Sequence, residues 1–272
     1  MFPLLLSIAT LMIVIEKCWP AQPLPSVRGW WLRILFVNLT QIGLIVLAGV
    51  TWDRWLSSFS LLRLNERLGD IPAALIAYFI STFVYYWWHR VRHESSLFWR
   101  LCHQLHHSPQ RIELLASFYK HPVEIFLNSI VSAVLVYTVC GCSIAAATYY
   151  TIFTAIAEYF YHWNIRTPRW IGTLIQRPES HRVHHQYQHH TQNYADLPLW
   201  DWMFGTFHNP KKAPARCGFT NENEQRFTEM LAFRDVHQVP PGMPITCFGC
   251  SKRWACAMGK QAGKTSNETV KP

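Results

Sequence analysis

Apolar runs separated by polar stretches divide the chain before any single residue is considered. Residues 2–15 are apolar and are closed by Glu16 and Lys17. No positive charge precedes this run and no A-x-A site follows it, so a retained helix is expected rather than a cleaved signal peptide. Pro20 to Arg28 carries three prolines and reads as a loop. From Trp30 to Trp52 comes a second run, with Trp30 and Trp31 as interfacial anchors and Arg33 near enough to its end to snorkel. Trp52, Trp55, Leu56, Phe59 and Leu62 then recur at helical spacing while Arg54, Arg63, Glu66 and Arg67 take other positions, which predicts a helix lying in the membrane interface. A third run, Ile71 to Trp88, ends in an aromatic belt of Tyr85, Tyr86, Trp87 and Trp88, and His89 follows at once.

The segment from His89 to His121 is polar and basic. Two further runs, Pro122 to Cys140 and Ile144 to Tyr161, are joined by a short uncharged turn at Gly141 to Ser143, a hairpin that leaves one side of the bilayer and returns to it. The positive-inside rule puts both basic regions in the cytosol, which gives an external N-terminus and five spans. A crossing needs about 20 residues for a core of roughly 30 Å, so the shorter runs must tilt little or meet a thin bilayer. The expected fold is an all-α membrane protein with four to five transmembrane helices and a cytosolic His-rich helical cap. Residues 1–209 are expected to form the membrane-embedded unit, and 210–272 a polar cytosolic tail whose last dozen residues have a disordered composition.

Composition agrees with a membrane protein: half of the 272 residues are hydrophobic, only 15% are charged, and there are 13 tryptophans. The net charge of +9 does not signal nucleic acid, because the basic residues form no stripe and no reading motif accompanies them. The partner expected from composition is the bilayer. Of the cysteines, Cys18, Cys102, Cys140 and Cys142 read as small buried hydrophobes. Cys247 and Cys250 form a C-x-x-C that, with Cys256 and Cys217, makes an incomplete and disfavoured zinc set.

The candidate chemistry lies in the histidines. His89 and His93 are spaced i, i+4; His103, His106 and His107 form H-x-x-H-H; His181, His184 and His185 repeat it. On a helix each quintet is expected to aim three imidazoles the same way. One tetrahedral ion is saturated by four ligands, so eight imidazoles imply two metals or redundancy. Imidazole accepts iron, copper, nickel and zinc, so spacing does not choose the element. A lone histidine reads more simply as an interfacial side chain, and His208 and His237 are expected at the surface. For His189 and His190, surface and ligand readings stand level.

The order H-x3-H, H-x2-H-H, membrane hairpin, H-x2-H-H resembles the fatty acid hydroxylase and sterol desaturase superfamily of integral-membrane di-iron enzymes. His121-Pro122-Val123-Glu124 is similar to its H-P-[LV]-[ED], and His162-Trp163-Asn164 to its H-x-N. Asn193-Tyr194 and the stretch from Trp200 to Thr206 resemble its N-Y-G and W-D-x-x-F-G-T signature. The resemblance covers residues 70 to 208. It implies two irons, with zinc able to substitute in a purified form, O2 as co-substrate, and hydroxylation or desaturation of a lipid.

By the same resemblance His162 is a ninth ligand. Glu158 stands where some members have another histidine, and there it can ligate, orient His162 or pair with a cation. His121 is expected as a ligand or as a hydrogen-bond donor to one, and Asn193 and Asp201 as partners that fix ring orientation. Electrons are expected from a separate donor of cytochrome b5, ferredoxin or reductase type. A bacterial inner membrane is favoured over the endoplasmic reticulum. A different class, a His-rich metal transporter, predicts ionisable ligands lining a path within the spans, whereas here they cluster at the cytosolic ends.

Overall fold

A computed structural model of the chain describes residues 2–237. The motif Cys247 to Cys250, and Cys256, lie outside the described residues. Within them the protein is helical, with no strand and one isolated antiparallel bridge, Gln186 to Cys217. The long helices are α1 (Phe2–Cys18), α2 (Trp30–Val50), α5 (Asp70–Glu94), α8 (Pro122–Ala133, continued by a π-helical turn, Val134–Val139) and α9 (Ile144–His162). Among the described residues three stretches are long and apolar enough to cross a membrane: Trp30–Leu56, Asp70–Glu94 and Pro122–Val139. Leu6, Leu32, Leu39 and Val50 on α1 and α2 point outward, as lipid-facing side chains do.

Helices α5 and α9 pack along each other, α2 lies against α8, and α1 against α9. Where α5, α8 and α9 meet, the core is built from Ala73, Ala74, Ala77, Ala133, Ala146 and Ala147 around Tyr137 and Tyr150. In a bilayer, tails solvate leucine as well as a neighbouring helix does, so small residues that let backbones approach favour association. The α8–α9 turn depends on Gly141, whose φ is +69°; a Cβ there would sit 1.9 Å from the Ser60 hydroxyl. Ser143 caps α9 by accepting from the Ala146 N–H at 3.0 Å.

The predicted interfacial helix over Trp52 to Leu62 is cut short. Helix α3 covers only Trp52–Leu56, a turn follows, and α4 spans Leu64–Leu68. Ser57 and Ser58 bond back to the carbonyls of Arg54 and Trp55, offering the backbone an alternative to another helical turn. The freed N–H groups of Leu61, Leu62 and Leu64 donate to the carbonyls of Thr138, Val139 and Cys140, so this segment braces the hairpin tip.

Past Glu94, apart from α8 and α9, the chain forms a cap of short elements. They are α6 (Ser96–Phe98), a π-helical turn (Trp99–His103), α7 (Gln104–His107), α10 (Pro178–His184) and α11 (Pro198–Met203). Two more, α12 (Asn221–Gln225) and α13 (Phe227–Leu231), fall in the region expected as a tail. Phe219, Met230 and Val236 from that region are buried against Trp30, Trp99, Leu105 and Tyr119, so residues 217–236 form part of the cap's core.

Candidate metal centre

Helix α5 carries the chain without a break from its membrane-spanning part to His89 and His93, one turn apart near its end. The π-helical turn and α7 present His103, His106 and His107; α9 ends at His162; α10, opened by Pro178 at its first position, presents His181, His184 and then His185. These nine histidines converge into two groups. His89, His93, His103, His107 and His184 bring ring nitrogens within 4.8 Å of one another, and so do His106, His162, His181 and His185.

Neither quintet aims its three rings at one point, contrary to the expectation from spacing. His103 and His107 join the five-histidine group and His106 the other; His181 and His185 join the four-histidine group and His184 the other. At 3.6 residues per turn, neighbouring positions diverge by about 100°, so the i+3 and i+4 histidines face opposite sides of the seam between α7 and α10. The two quintets thus exchange one ring each. The rings of His107 and His185 stack across the seam with centroids 4.3 Å apart.

The outer nitrogens are held. His89 Nδ1 lies 2.7 Å from the Tyr194 carbonyl, His184 Nδ1 2.7 Å from that of Gln192, and His162 Nδ1 2.9 Å from that of Glu158. An N–H at Nδ1 donating to a carbonyl fixes the tautomer that leaves Nε2 bare, as a ligand requires. Inward, Nε2 atoms approach each other: His93 to His103 at 3.0 Å, His162 to His181 at 3.1 Å, His181 to His185 at 3.0 Å. Nε2 of His89, His107 and His184 is buried with no hydrogen-bond partner. Unpaired buried acceptors are costly, and a cation between them removes that cost. Separations near 3 Å match two nitrogen ligands at right angles on bonds of about 2.1 Å. Two metal ions of the imidazole-binding kind fit this donor set.

Burial and mutual repulsion reinforce the neutral state. Desolvation first, then neighbouring histidines or Arg92, hold His103, His106, His107, His181 and His185 well below the usual imidazole range. Desolvation takes His184 down to about 3. Neutral imidazole is the form that binds metal.

The other candidate residues fall outside both groups. His121 caps α8, its Nδ1 accepting from the Val123 N–H at 3.0 Å, and its Nε2 lies 3.3 Å from the Leu231 carbonyl. Of the three roles open to Glu158, the side chain takes the cation pairing, with Lys120. Asp201 accepts from the N–H groups of Tyr194 and Ala195 at 2.8 and 2.9 Å and from Thr206 Oγ1 at 2.7 Å. Asn193 donates to the Ser180 and His208 carbonyls and accepts from the His208 N–H. Neither touches a ring of the two groups; both fix the loop whose carbonyls, those of Gln192 and Tyr194, do. Gln188, His190, Gln192 and Asn193 in that loop have positive φ, a conformation that non-glycine residues adopt only when their surroundings hold them there.

His208 is exposed, as expected. His237 is not a surface side chain, because it packs edge-on against the Phe219 ring at 4.1 Å. His190 is buried, with Nδ1 3.0 Å from Nδ1 of His107. His189 is half-buried and bonds to Thr191 and Gln192. Sequence reasoning missed the role of Glu124, which is fully buried, pairs with Arg92 and lies 3.2 Å from His103 Nδ1. Its signal was the His121-Pro122-Val123-Glu124 motif, read only as a likeness.

A cavity of about 830 Å³ runs between α1, α2, α5, α8 and α9 and reaches His89, His103, His106 and His181. Its walls are largely aliphatic and aromatic side chains, and its volume lies in the range of small-molecule sites. The histidine groups therefore close the inner end of an apolar chamber within the helical bundle.

Residues 74–206 match the fatty acid hydroxylase family. That stretch is a fatty acid hydroxylase domain. The chain is 28% identical over 221 residues to an alkylglycerol monooxygenase of Xenopus tropicalis, covering 77% of this chain and 47% of that protein. It is 28% identical over 159 residues to the ornithine lipid hydroxylase OlsE of Rhizobium tropici, covering 56% and 47%. A very-long-chain aldehyde decarbonylase of Oryza sativa is 25% identical over 181 residues, covering 59% and 28%. The chain spans about half the length, or less, of these curated relatives. No solved structure matches. The family match, the candidate membrane spans and the two histidine groups that could hold metal occur together in this chain.

Proposed function

We propose that this protein is an O2-dependent di-iron hydroxylase of a membrane lipid, with its metal site on the cytosolic face. The observation that carries the reading is the meeting of two adjacent histidine groups with the inner end of an apolar cavity. The five-histidine and four-histidine groups would each hold one iron, and zinc fits the same donors in an iron-poor preparation. When bound, the iron pair supplies reduction of O2 and abstraction of hydrogen from carbon. The balance is RH + O2 + two electrons + two protons giving ROH + H2O, the electrons coming from a separate donor protein.

This chain's own residues do the positioning. The cavity admits an alkyl chain from the bilayer and excludes bulk water from the histidines. The carbonyls of Tyr194, Gln192 and Glu158 keep the rings of His89, His184 and His162 in the tautomer that faces inward. The basic regions that bear the histidines support cytosolic placement, and the names of the relatives support a lipid with a polar end as substrate.

Lipid profiles of cells producing the wild type or the His184→Ala protein under isotopically labelled O2 test the reading. A lipid that carries one labelled oxygen only with the wild type is the expected result. A lipid that loses two hydrogens and gains no label would make the chain a desaturase, and no difference between the profiles would remove the oxygenase reading.

A further inference from the structure

Apolar side chains make up much of the cavity's wall, interrupted by Asn38, Gln41, Asp53 and Asn128, and further charged groups line it near the histidines. There Lys120 Nζ pairs with Glu158 Oε1, both residues facing the chamber, while Glu158 Oε2 is buried with no hydrogen-bond partner. Asp196 lines the same space. It accepts from the Tyr78 hydroxyl at 3.5 Å, and Tyr161 lines the same space. The Tyr161 ring lies 5.0 Å from that of His162 and 4.5 Å from that of His181, and Glu158 is one helical turn before His162. The polar cluster therefore adjoins the four-histidine group.

A purely structural ion pair does not account for this arrangement. Taking an ammonium and a carboxylate out of water costs more than packing two apolar side chains of like size, and ionisable groups at membrane depth are retained where they act. A structural pair would also satisfy its second carboxylate oxygen, which this one does not. The charges nearly cancel: Lys120 offsets Glu158, Arg92 offsets Glu124 on the same cavity wall, and burial lifts the Asp196 carboxyl to about 7, so that it is partly protonated near neutrality. A charged ligand group would be left uncompensated here, whereas a hydroxyl can donate to Glu158 Oε2 and accept from Lys120 at once.

We propose that Lys120, Glu158 and Asp196 bind a hydroxyl group of the lipid, so that oxidation falls on carbons near that group and not at the far end of the chain. The inference rests on the hydroxylase reading for its consequence, but binding itself is independent of turnover.

The test uses the full chain in detergent micelles that contain hexadecane-1,2-diol and hexadecane in equal amounts, with mass spectrometry of the lipid retained after size exclusion. The wild type is expected to enrich the diol about tenfold over the micelle ratio, which corresponds to about 1.4 kcal/mol. The double variant Lys120→Met/Glu158→Leu, which leaves no orphaned charge, should retain hexadecane and fall to the micelle ratio. Glu158→Gln, which keeps shape and one hydrogen-bonding oxygen, should lose about threefold and keeps the test decisive if the double variant aggregates. Equal retention of both probes by the wild type, or undiminished diol preference in a folded variant, overturns the proposal. A protein that enriches the diol but labels no lipid would overturn the hydroxylase reading alone.

Discussion

Asp201 never touches a histidine of the two groups, yet its removal should loosen both a loop and a metal. In Asp201→Ala the two buried N–H groups of Tyr194 and Ala195 and the hydroxyl of Thr206 lose their acceptor. Leaving a buried donor unsatisfied costs about 1–3 kcal/mol, so the two N–H groups together imply about 2–6 kcal/mol. Burial opposes the native carboxylate, lifting it to about 6, so removing it also relieves a desolvation penalty, and the lower part of that range, about 2–3 kcal/mol, is expected. A whole domain is stable by about 5–15 kcal/mol. The outcome is therefore local opening of residues 192–206 within a folded protein.

Opening withdraws the Tyr194 and Gln192 carbonyls from His89 and His184, and loss of such partners weakens metal binding about 10- to 100-fold. Hydrogen exchange of the loop amides and a chelator competition read the two effects separately. Asp201→Asn, which retains one acceptor oxygen, should fall between the wild type and Asp201→Ala. Wild-type amide protection together with wild-type metal retention in Asp201→Ala would refute the reasoning.

Other consequences are open to direct measurement. His184, held down to about 3, is neutral in the folded metal-free protein while the unfolded chain protonates below about 6.5. Its stabilisation is thus complete above 6.5 and lost as pH falls toward 3, about 1.4 kcal/mol by pH 5.5 for each such histidine. Melting of the metal-free protein should drop steeply between pH 7.5 and 5.5, and a flat profile would contradict the neutral, buried histidine groups. Glu124→Gln leaves the Arg92 charge buried without its counter-ion and should cost about 3–5 kcal/mol in unfolding experiments, while Arg92→Met/Glu124→Leu should recover most of it. Gly141→Ala should lower the melting temperature without changing metal content, because its Cβ meets Ser60 at the hairpin tip far from the histidines.

Eight of the histidines were legible because chemistry confined them to three short motifs and the hairpin turn at Gly141 to Ser143 returned the chain to the first two; the ninth, His162, was expected from the family likeness alone. All nine gather where that topology puts them. The division of each quintet between two groups was not legible, since it depends on which rings α5, α9 and α10 bring to either side of α7. Two of the three partners of the outer nitrogens escaped for a different reason: they are main-chain carbonyls of Gln192 and Tyr194, which any residue type supplies. Their placement depends on a run of left-handed residues that no spacing rule announces. Amphipathic spacing over Trp52 to Leu62 promised one helix, and local serine hydrogen bonds ended it after Leu56. The packing of Phe219, Met230 and Val236 into the cap was hidden by the charged residues around them.

The central claim is that two metal sites, built reciprocally from the two quintets, stand side by side. Iron per chain, measured by inductively coupled plasma mass spectrometry on protein produced with ample iron, tests it most directly. The wild type should hold two irons. His106→Ala, which removes a candidate ligand from the four-histidine group alone, should hold about one and keep the five-histidine site filled. A wild type with no more than one iron, or a His106→Ala protein with its full complement, would contradict the account.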